Sequence, residues 1–404
     1  MSAQTNTGEQ KVDKGLFASL LANSRQYGIV GALIVIIAVF QVLTGGLLLQ
    51  PNTVVQLVQQ NAYVVILAIG MVMVIIATHI DLSVGSLVGF IGGCIALLMQ
   101  DMHINWLMAI LVGIVIGLII GVWQGFWVAY VGIPGFITTL AGMLVFRGLA
   151  TTMINASIPV NDSSFNAIAA SYLPNVLGFW GPFDGLTVVV GVLLILAFAY
   201  GQFRNRKKAF MVGLDVEPLS TTYAKIGATT VVIAALTYPF ATSGNATQGG
   251  IPIMLVIVGV LVAVYNFILT KTVFGRHVYA VGGNRRAAML SGINTKRVDF
   301  LLYVHMGFLS SVAAIAMLSR LSSASAATGN SFEMDAIASC FVGGTAVTGG
   351  IGTVPGVVIG AAVIGVINQG LSIMGVDSAL IQTIKGLVLL LAVAIDIYSK
   401  RRKR

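Results

Sequence analysis

The chain has 404 residues, of which 57% are apolar and only 9% charged, with a formal net charge of +9. A soluble domain carries roughly a quarter charged residues, so this composition excludes one and points to a protein solvated by a bilayer. The two cysteines, Cys94 and Cys340, both lie in apolar segments, which excludes a disulfide framework or a metal finger.

The expected fold class is an all-α polytopic membrane protein. A spanning helix needs about 20 apolar residues. Candidates run near 28–48, 60–78, 82–99, 106–130, 134–154, 184–202, 224–241, 251–270, 299–319, 334–349, 352–372 and 378–398. The expectation is a bundle of about 12 transmembrane helices, or about 10–12 given the weak stretches 224–241 and 334–349. Residues 1–27 read as a polar tail, 28–398 as the transmembrane domain and 399–404 as a basic tail. No small-residue cleavage pattern follows the first apolar run.

The basic residues test this arrangement. With both termini inside and an even number of spans, 22 Lys and Arg sort cleanly: all but Arg147, Arg320 and Lys385 fall in cytoplasmic loops and tails. That sorting accounts for the positive charge without nucleic acid. It implies a multi-pass membrane protein with both termini cytoplasmic.

In chain order, the first informative motif is His79-Ile-Asp-Leu-Ser-Val-Gly-Ser86, where two apolar runs meet almost without a loop. Asp81 or Ser83 is placed to cap the following helix, whose free amides suit a polar solute. The motif is either a pathway or gate element or a tight hairpin with a capping aspartate. Next, Gly113, Gly117, Gly121 and Gly125 recur every four residues, as do Gly352, Gly356 and Gly360. Each ladder puts a bare stripe on one helix face and predicts close backbone packing. The polar stretch 155–183 is the longest external loop, either a docking surface or a connector.

The longest polar, glycine-punctuated run in the second half is Gly275-Arg-His-Val-Tyr-Ala-Val-Gly-Gly-Asn-Arg-Arg-Ala-Ala-Met-Leu-Ser-Gly-Ile-Asn294. Asn284 suits an N-cap, Arg285 to Ser291 a short basic helix, and Gly292 a left-handed terminator. Positive-inside sorting explains Arg276, Arg285, Arg286 and Arg297. It does not explain Gly282-Gly283-Asn284, or the apolar pair Met289 and Leu290 within a polar loop. A short helix with small and apolar residues on one face suits insertion into a groove on a partner. Farther on, His305 reads as a packed, hydrogen-bonded histidine. Glu333 and Asp335 either cap a helix or line a solute route. Gly343, Gly344, Gly349 and Gly350 mark a broken helix, and Asn368 and Gln369 suit bonds across helices.

The chain has no Gly-x-x-x-x-Gly-Lys-Ser/Thr loop, no His-Glu-x-x-His and no nucleophile elbow. The chain is therefore not expected to hydrolyse ATP itself by P-loop chemistry.

These residues resemble the permease subunits of bacterial monosaccharide importers of the ATP-binding-cassette class, over nearly the whole chain from about residue 28. The carriers are Ile80 to Ser86, Phe136-Ile-Thr-Thr-Leu140 with Arg147-Gly148, Thr272 to Asn284, Leu290 to Asn294, Ser331 to Ile337 and Gly343 to Gly350. The extra apolar pair near 184–241, around a basic loop with Val216-Glu-Pro218, is most like the xylose permease branch. His79 departs from the small polar residue usual there.

The resemblance implies two copies of the chain around a path, a cytoplasmic ATPase with two fused nucleotide domains, and an extracytoplasmic sugar-binding protein. The chain itself would need no cofactor, ATP and Mg belonging to the ATPase. Gly275, Arg276, Gly282, Gly283, Asn284, Ala287, Ala288, Met289, Leu290, Ser291 and Gly292 would form the coupling element. Ile80, Asp81, Leu82, Ser83, Gly85, Phe136, Thr138, Thr139 and Asp335 would lie near the route. The competing reading is an ion-coupled secondary transporter of a small polar solute.

Overall fold

The apolar runs fold as helices because, in hydrocarbon, a helix satisfies every backbone N–H and C=O within its own segment. The computed structural model describes residues 24–213, 216, 218–243 and 248–401. Most of the expected 1–27 tail, the end of the basic 399–404 tail and Glu217 of the 184–241 insert lie outside them.

From the N-terminus run α1 (Ser24–Leu43), α2 (Pro51–Ile76), α3 (Val84–Gln100) and α4 (Trp106–Phe126), the last extended by a π turn to Val131, then α5 (Gly135–Met153). After β1 (Ile158–Pro159) come α6 (Ser163–Ala170), β2 (Tyr172–Pro174), β3 (Phe179–Trp180), β4 (Phe183–Asp184), α7 (Gly185–Met211) and α8 (Leu219–Ser243). Then follow β5 (Gln248–Pro252), α9 (Ile253–Lys271), α10 (Val273–Gly283), α11 (Arg285–Leu290) and α12 (Thr295–Leu321). The chain closes with β6 (Ser323–Ala324), α13 (Phe332–Val342), α14 (Val354–Ile373) and α15 (Ser378–Arg401).

Among the described residues, 8 helices are long and apolar enough to cross a membrane: α2, α4 with its extension, α5, α7, α8, α9, α12 and α14. The shorter apolar stretches Gly28–Leu43, Val84–Gln100 and Ser378–Leu391 belong to α1, α3 and α15. The stretch expected to span at 334–349 differs. There α13 has 11 residues, about 16 Å of helix against a hydrocarbon core of about 30 Å. The glycine cluster breaks the rest: Gly344, Gly349 and Gly350 all have positive φ (84°, 79° and 72°). This irregular backbone is partly buried in protein, at Gly343, Thr345, Ala346 and Gly349, while Val347, Thr348 and Ile351 are exposed. The Gly350 amide bonds the Ile76 carbonyl (2.9 Å), at the end of α2.

Most glycines of the two ladders pack backbone against backbone, whereas Gly113 meets the Ile95 side chain and Gly352 lies before α14 begins. A Cβ on Gly117 would meet Gly307 and Ser311 of α12, and one on Gly121 or Gly125 would meet Tyr303 or Phe300. On α14, Gly356 and Gly360 abut Gly343 and the Ser339 carbonyl of α13. The most apolar stretch of α2 is 83% buried and forms the centre, whereas that of α7 is 11% buried, so α7 and α8 lie at the margin.

The loop after α5 carries more structure than its polar sequence suggested. It holds α6, and β1 pairs antiparallel with β6, β2 with β5, and β3 with β4. These small sheets gather at one end of the bundle, the sheet end. The segment α10–α11 lies at the other, the basic end.

Candidate functional site

The α2–α3 junction is unwound. Helix α2 stops at Ile76, Thr78 takes a left-handed φ of 69°, and residues 79–83 carry no regular secondary structure before α3 begins. A left-handed β-branched residue is strained and is held only where its surroundings fix it.

Those surroundings are polar and buried. Asp81 Oδ1 accepts from the Ser83 amide (2.8 Å) and the Ser83 hydroxyl (2.6 Å). Gln124 Nε2 of α4 donates to Ser83 Oγ (2.7 Å). Thr139 Oγ1 of α5 accepts from the Leu82 amide (3.1 Å) and donates to the Ile80 carbonyl (3.3 Å). Neither Asp81 nor Ser83 caps α3 through its side chain, correcting that expectation. Asp81 instead closes a local turn, because its short side chain reaches the amide two residues on. Gly85 is glycine because the Gly329 carbonyl and Glu333 carboxylate crowd its Cα.

Of the residues assigned by resemblance to the route, the structure gathers Ile80, Asp81, Leu82, Ser83 and Thr139. Thr138 is buried one position away, whereas Phe136 points outward at 54% exposure. Asp335 belongs to another cluster. Its Oδ1 pairs with Lys385 Nζ (2.7 Å) and its Oδ2 accepts from Tyr63 (3.0 Å). It does not cap α13; the cap position is Ser331, without a side-chain bond. His305 is packed and bonded to Tyr265 (3.2 Å).

At the basic end the expected short helix forms. Asn284 Oδ1 accepts from the Ala287 amide (3.0 Å), α11 runs Arg285–Leu290, and Gly292 terminates it at φ 83°. The stretch before it, Val273–Gly283, is helical as well, capped by Thr272. Gly275 fits against the last carbonyls of α9, and Gly282 against Ile76 and Gly350. Gly283 faces open space, and Arg276, Ala287, Ser291 and Gly292 are exposed. Ala288 is the buried contact of α11, whereas Met289 is 54% and Leu290 90% exposed.

One connection was not legible in sequence. Asp299, at the start of α12, is 1% exposed. It forms an ion pair with Arg285 of α11, whose Nη1 lies 3.3 Å from Oδ1, and it contacts His79 Nε2 at 3.2 Å. His79 and Tyr303 in turn crowd Gly135 at the start of α5. Arg285, Asp299 and His79 thus join the exposed helix to the unwound junction through one buried carboxylate. Gln124, an amide inside an apolar run, was the one missed residue with a sequence signal.

No group of His, Cys, Asp and Glu suited to a metal occurs among the described residues. No solved structure matches the chain. The family model described as "Branched-chain amino acid transport system / permease component" matches residues 53–393. The xylose transport system permease protein XylH of Escherichia coli K12 is 37% identical over 99% of this chain and 100% of its own length. The XylH of Haemophilus influenzae is 36% identical over 96% and 100%, and the ribose import permease protein RbsC of E. coli K12 31% identical over 90% and 91%. A multi-pass bundle of apolar helices, broken at two buried junctions and matched end to end by permeases, makes this chain a member of that permease family.

Proposed function

We propose that the chain is the path-forming permease subunit of an ATP-binding-cassette importer for a monosaccharide, xylose or a similar pentose or hexose. A second copy completes the path. A cytoplasmic ATPase with two fused nucleotide domains drives it and holds the ATP and Mg, and an extracytoplasmic sugar-binding protein feeds it. The basic end and both termini face the cytoplasm of a bacterial inner membrane, with residues 28–398 as the membrane domain.

The observation that carries this reading is α11 and its buried link. Met289 and Leu290 stand exposed on a capped helix beyond the spans, as an anchor for a partner's groove. Arg285 on the same helix holds Asp299, and Asp299 holds His79 at the unwound α2–α3 junction. Closure of the ATPase domains displaces α10–α11. Gly282 bears directly on the end of α2 and on Gly350 of the broken segment, so the push reaches both interrupted elements. Interrupted helices are where a bundle changes shape at least cost, since their backbone is already free of the helical ladder.

The test is uptake of radiolabelled D-xylose and D-ribose into proteoliposomes holding the chain with its co-purified ATPase and binding protein. ATP-dependent, vanadate-sensitive uptake unaffected by ionophores supports the reading. Ionophore-sensitive uptake without ATP contradicts it and favours an ion-coupled transporter.

A further inference from the structure

Toward the sheet end, α2, α14 and α15 line an open cleft of about 300 Å³ walled by Gln60, Asn61, Asn368, Gln369, Gln382 and Lys385. Gln60 and Gln382 are exposed at its mouth, but Asn61 and Gln369 are buried and Asn368 half-buried, and buried amides in a membrane bundle are costly unless bonded. The usual explanation for them, bonds across helices, fails here. Among the described residues Asn61 bonds only back to the Leu57 carbonyl of its own helix (2.9 Å). No side-chain bond joins Gln60, Asn368, Gln369 or Gln382 to another helix, and the buried Oδ1 of Asn368 has no partner.

The charges at the wall are spent on each other. Lys385 is neutralised by Asp335, whose other oxygen is taken by Tyr63. The cleft is therefore rich in paired donors and acceptors but offers no free charge, and Ile381 is the one aliphatic side chain on its wall. That chemistry suits a neutral polyhydroxylated solute. It does not suit a zwitterionic amino acid, whose ammonium and carboxylate would go unmatched. The volume is at the small end of ligand sites. A second cavity of about 260 Å³ shares Gln382 and Lys385 and continues one turn along α15 to Gly386 and Leu389.

We infer that this carboxamide-lined cleft is a way station for a monosaccharide, with the Lys385–Asp335 pair set between it and the next cavity along α15. The inference rests on the transport reading above and adds the place where the solute is held and the class of solute accepted. A station with many weak hydrogen bonds and no ionic anchor receives sugar without retaining it.

The experiment uses the assembled transporter in proteoliposomes. The probes are D-xylose, D-ribose and L-leucine, and the variants are Asn368→Leu, Gln382→Leu and the pair together. The double variant is expected to lose about tenfold or more in xylose uptake, while the melting temperature and ATP hydrolysis stimulated by loaded binding protein stay near wild type. Wild-type uptake by the double variant overturns the assignment, as does L-leucine transport by the wild type.

Gln382→Cys gives a second readout that needs no turnover. Its labelling by a membrane-impermeant thiol reagent is expected to slow several-fold in D-xylose and not in L-leucine, and an unchanged rate overturns the proposal. A wild-type complex that hydrolyses ATP but moves no sugar overturns the transport reading, and this inference with it.

Discussion

Replacing Asp299 by asparagine tests the link between the exposed helix and the unwound junction. The substitution keeps the volume and the acceptor oxygen but removes the charge that makes both contacts charge-assisted. Hydrogen bonds to charged groups contribute about 1.5–3 kcal/mol and neutral ones about 0.5–1.5 kcal/mol, a difference of about 1 kcal/mol per contact. The Arg285 side chain is 42% exposed, so its share is discounted for solvent screening. Together the two contacts weaken by about 1–2 kcal/mol, which is about a 5–30-fold shift in a two-state equilibrium. The expected phenotype is a drop of that order in xylose moved per ATP hydrolysed, with normal assembly and basal ATP hydrolysis, read in proteoliposomes by parallel uptake and phosphate release. A double-mutant cycle with Arg285→Gln and His79→Gln sharpens the test, because residues of one network do not act additively. Unchanged coupling in Asp299→Asn, or strictly additive effects in the cycle, would refute the link.

The glycines at the basic end make a contrasting pair. Gly282→Trp drives a side chain into the Ile76 backbone and is expected to abolish folded protein, seen as loss of a monodisperse peak in detergent. Gly283→Trp meets open space and is expected to fold, reach the membrane and fail in uptake by obstructing the partner; normal uptake would contradict this. Gln124→Leu leaves Ser83 without its donor and should destabilise the purified protein by about 1–3 kcal/mol, measured as a lower melting temperature. Gly117→Leu separates α4 from α12 and should prevent accumulation of folded protein, whereas Gly201→Leu on marginal α7 meets nothing and should be tolerated.

What the sequence disclosed was local. Asn284 as a cap and Gly292 as a left-handed stop depend on backbone a few residues away, and both formed as read. So did the ladder on α4, whose every-fourth spacing is the signal itself, while on α14 only Gly356 and Gly360 lie on the helix. The broken segment at Gly343–Gly350 was visible, but α13 ended sooner than the apolar run, because hydropathy averages over the glycines that stop the helix.

The polar clusters were hidden because their partners are distant in the chain. His79 meets Asp299 across 220 positions, and Tyr63 meets Asp335 across 272. Asp299 sat unnoticed behind Lys296 and Arg297, where positive-inside sorting had already explained the charge. Asn368 and Gln369 were expected to bond across helices; they face a cleft instead, one turn beyond Gly365, where α14 packs closely against Asn61. The small sheets at that end escaped notice because strands of two to five residues carry no usable periodicity.

The central claim is that α11 is where a separate ATPase takes hold of this chain. The most direct test is affinity purification of the tagged chain from its native membranes in mild detergent, with and without crosslinking, comparing wild type with a deletion of Asn284–Leu290. The account predicts that an ATPase with two nucleotide-binding domains accompanies the wild type and is lost from the deletion, while both chains reach the membrane in equal amount. An ATPase retained by the deletion variant would contradict the docking role of α11. Its absence from crosslinked wild type would contradict the importer reading as a whole.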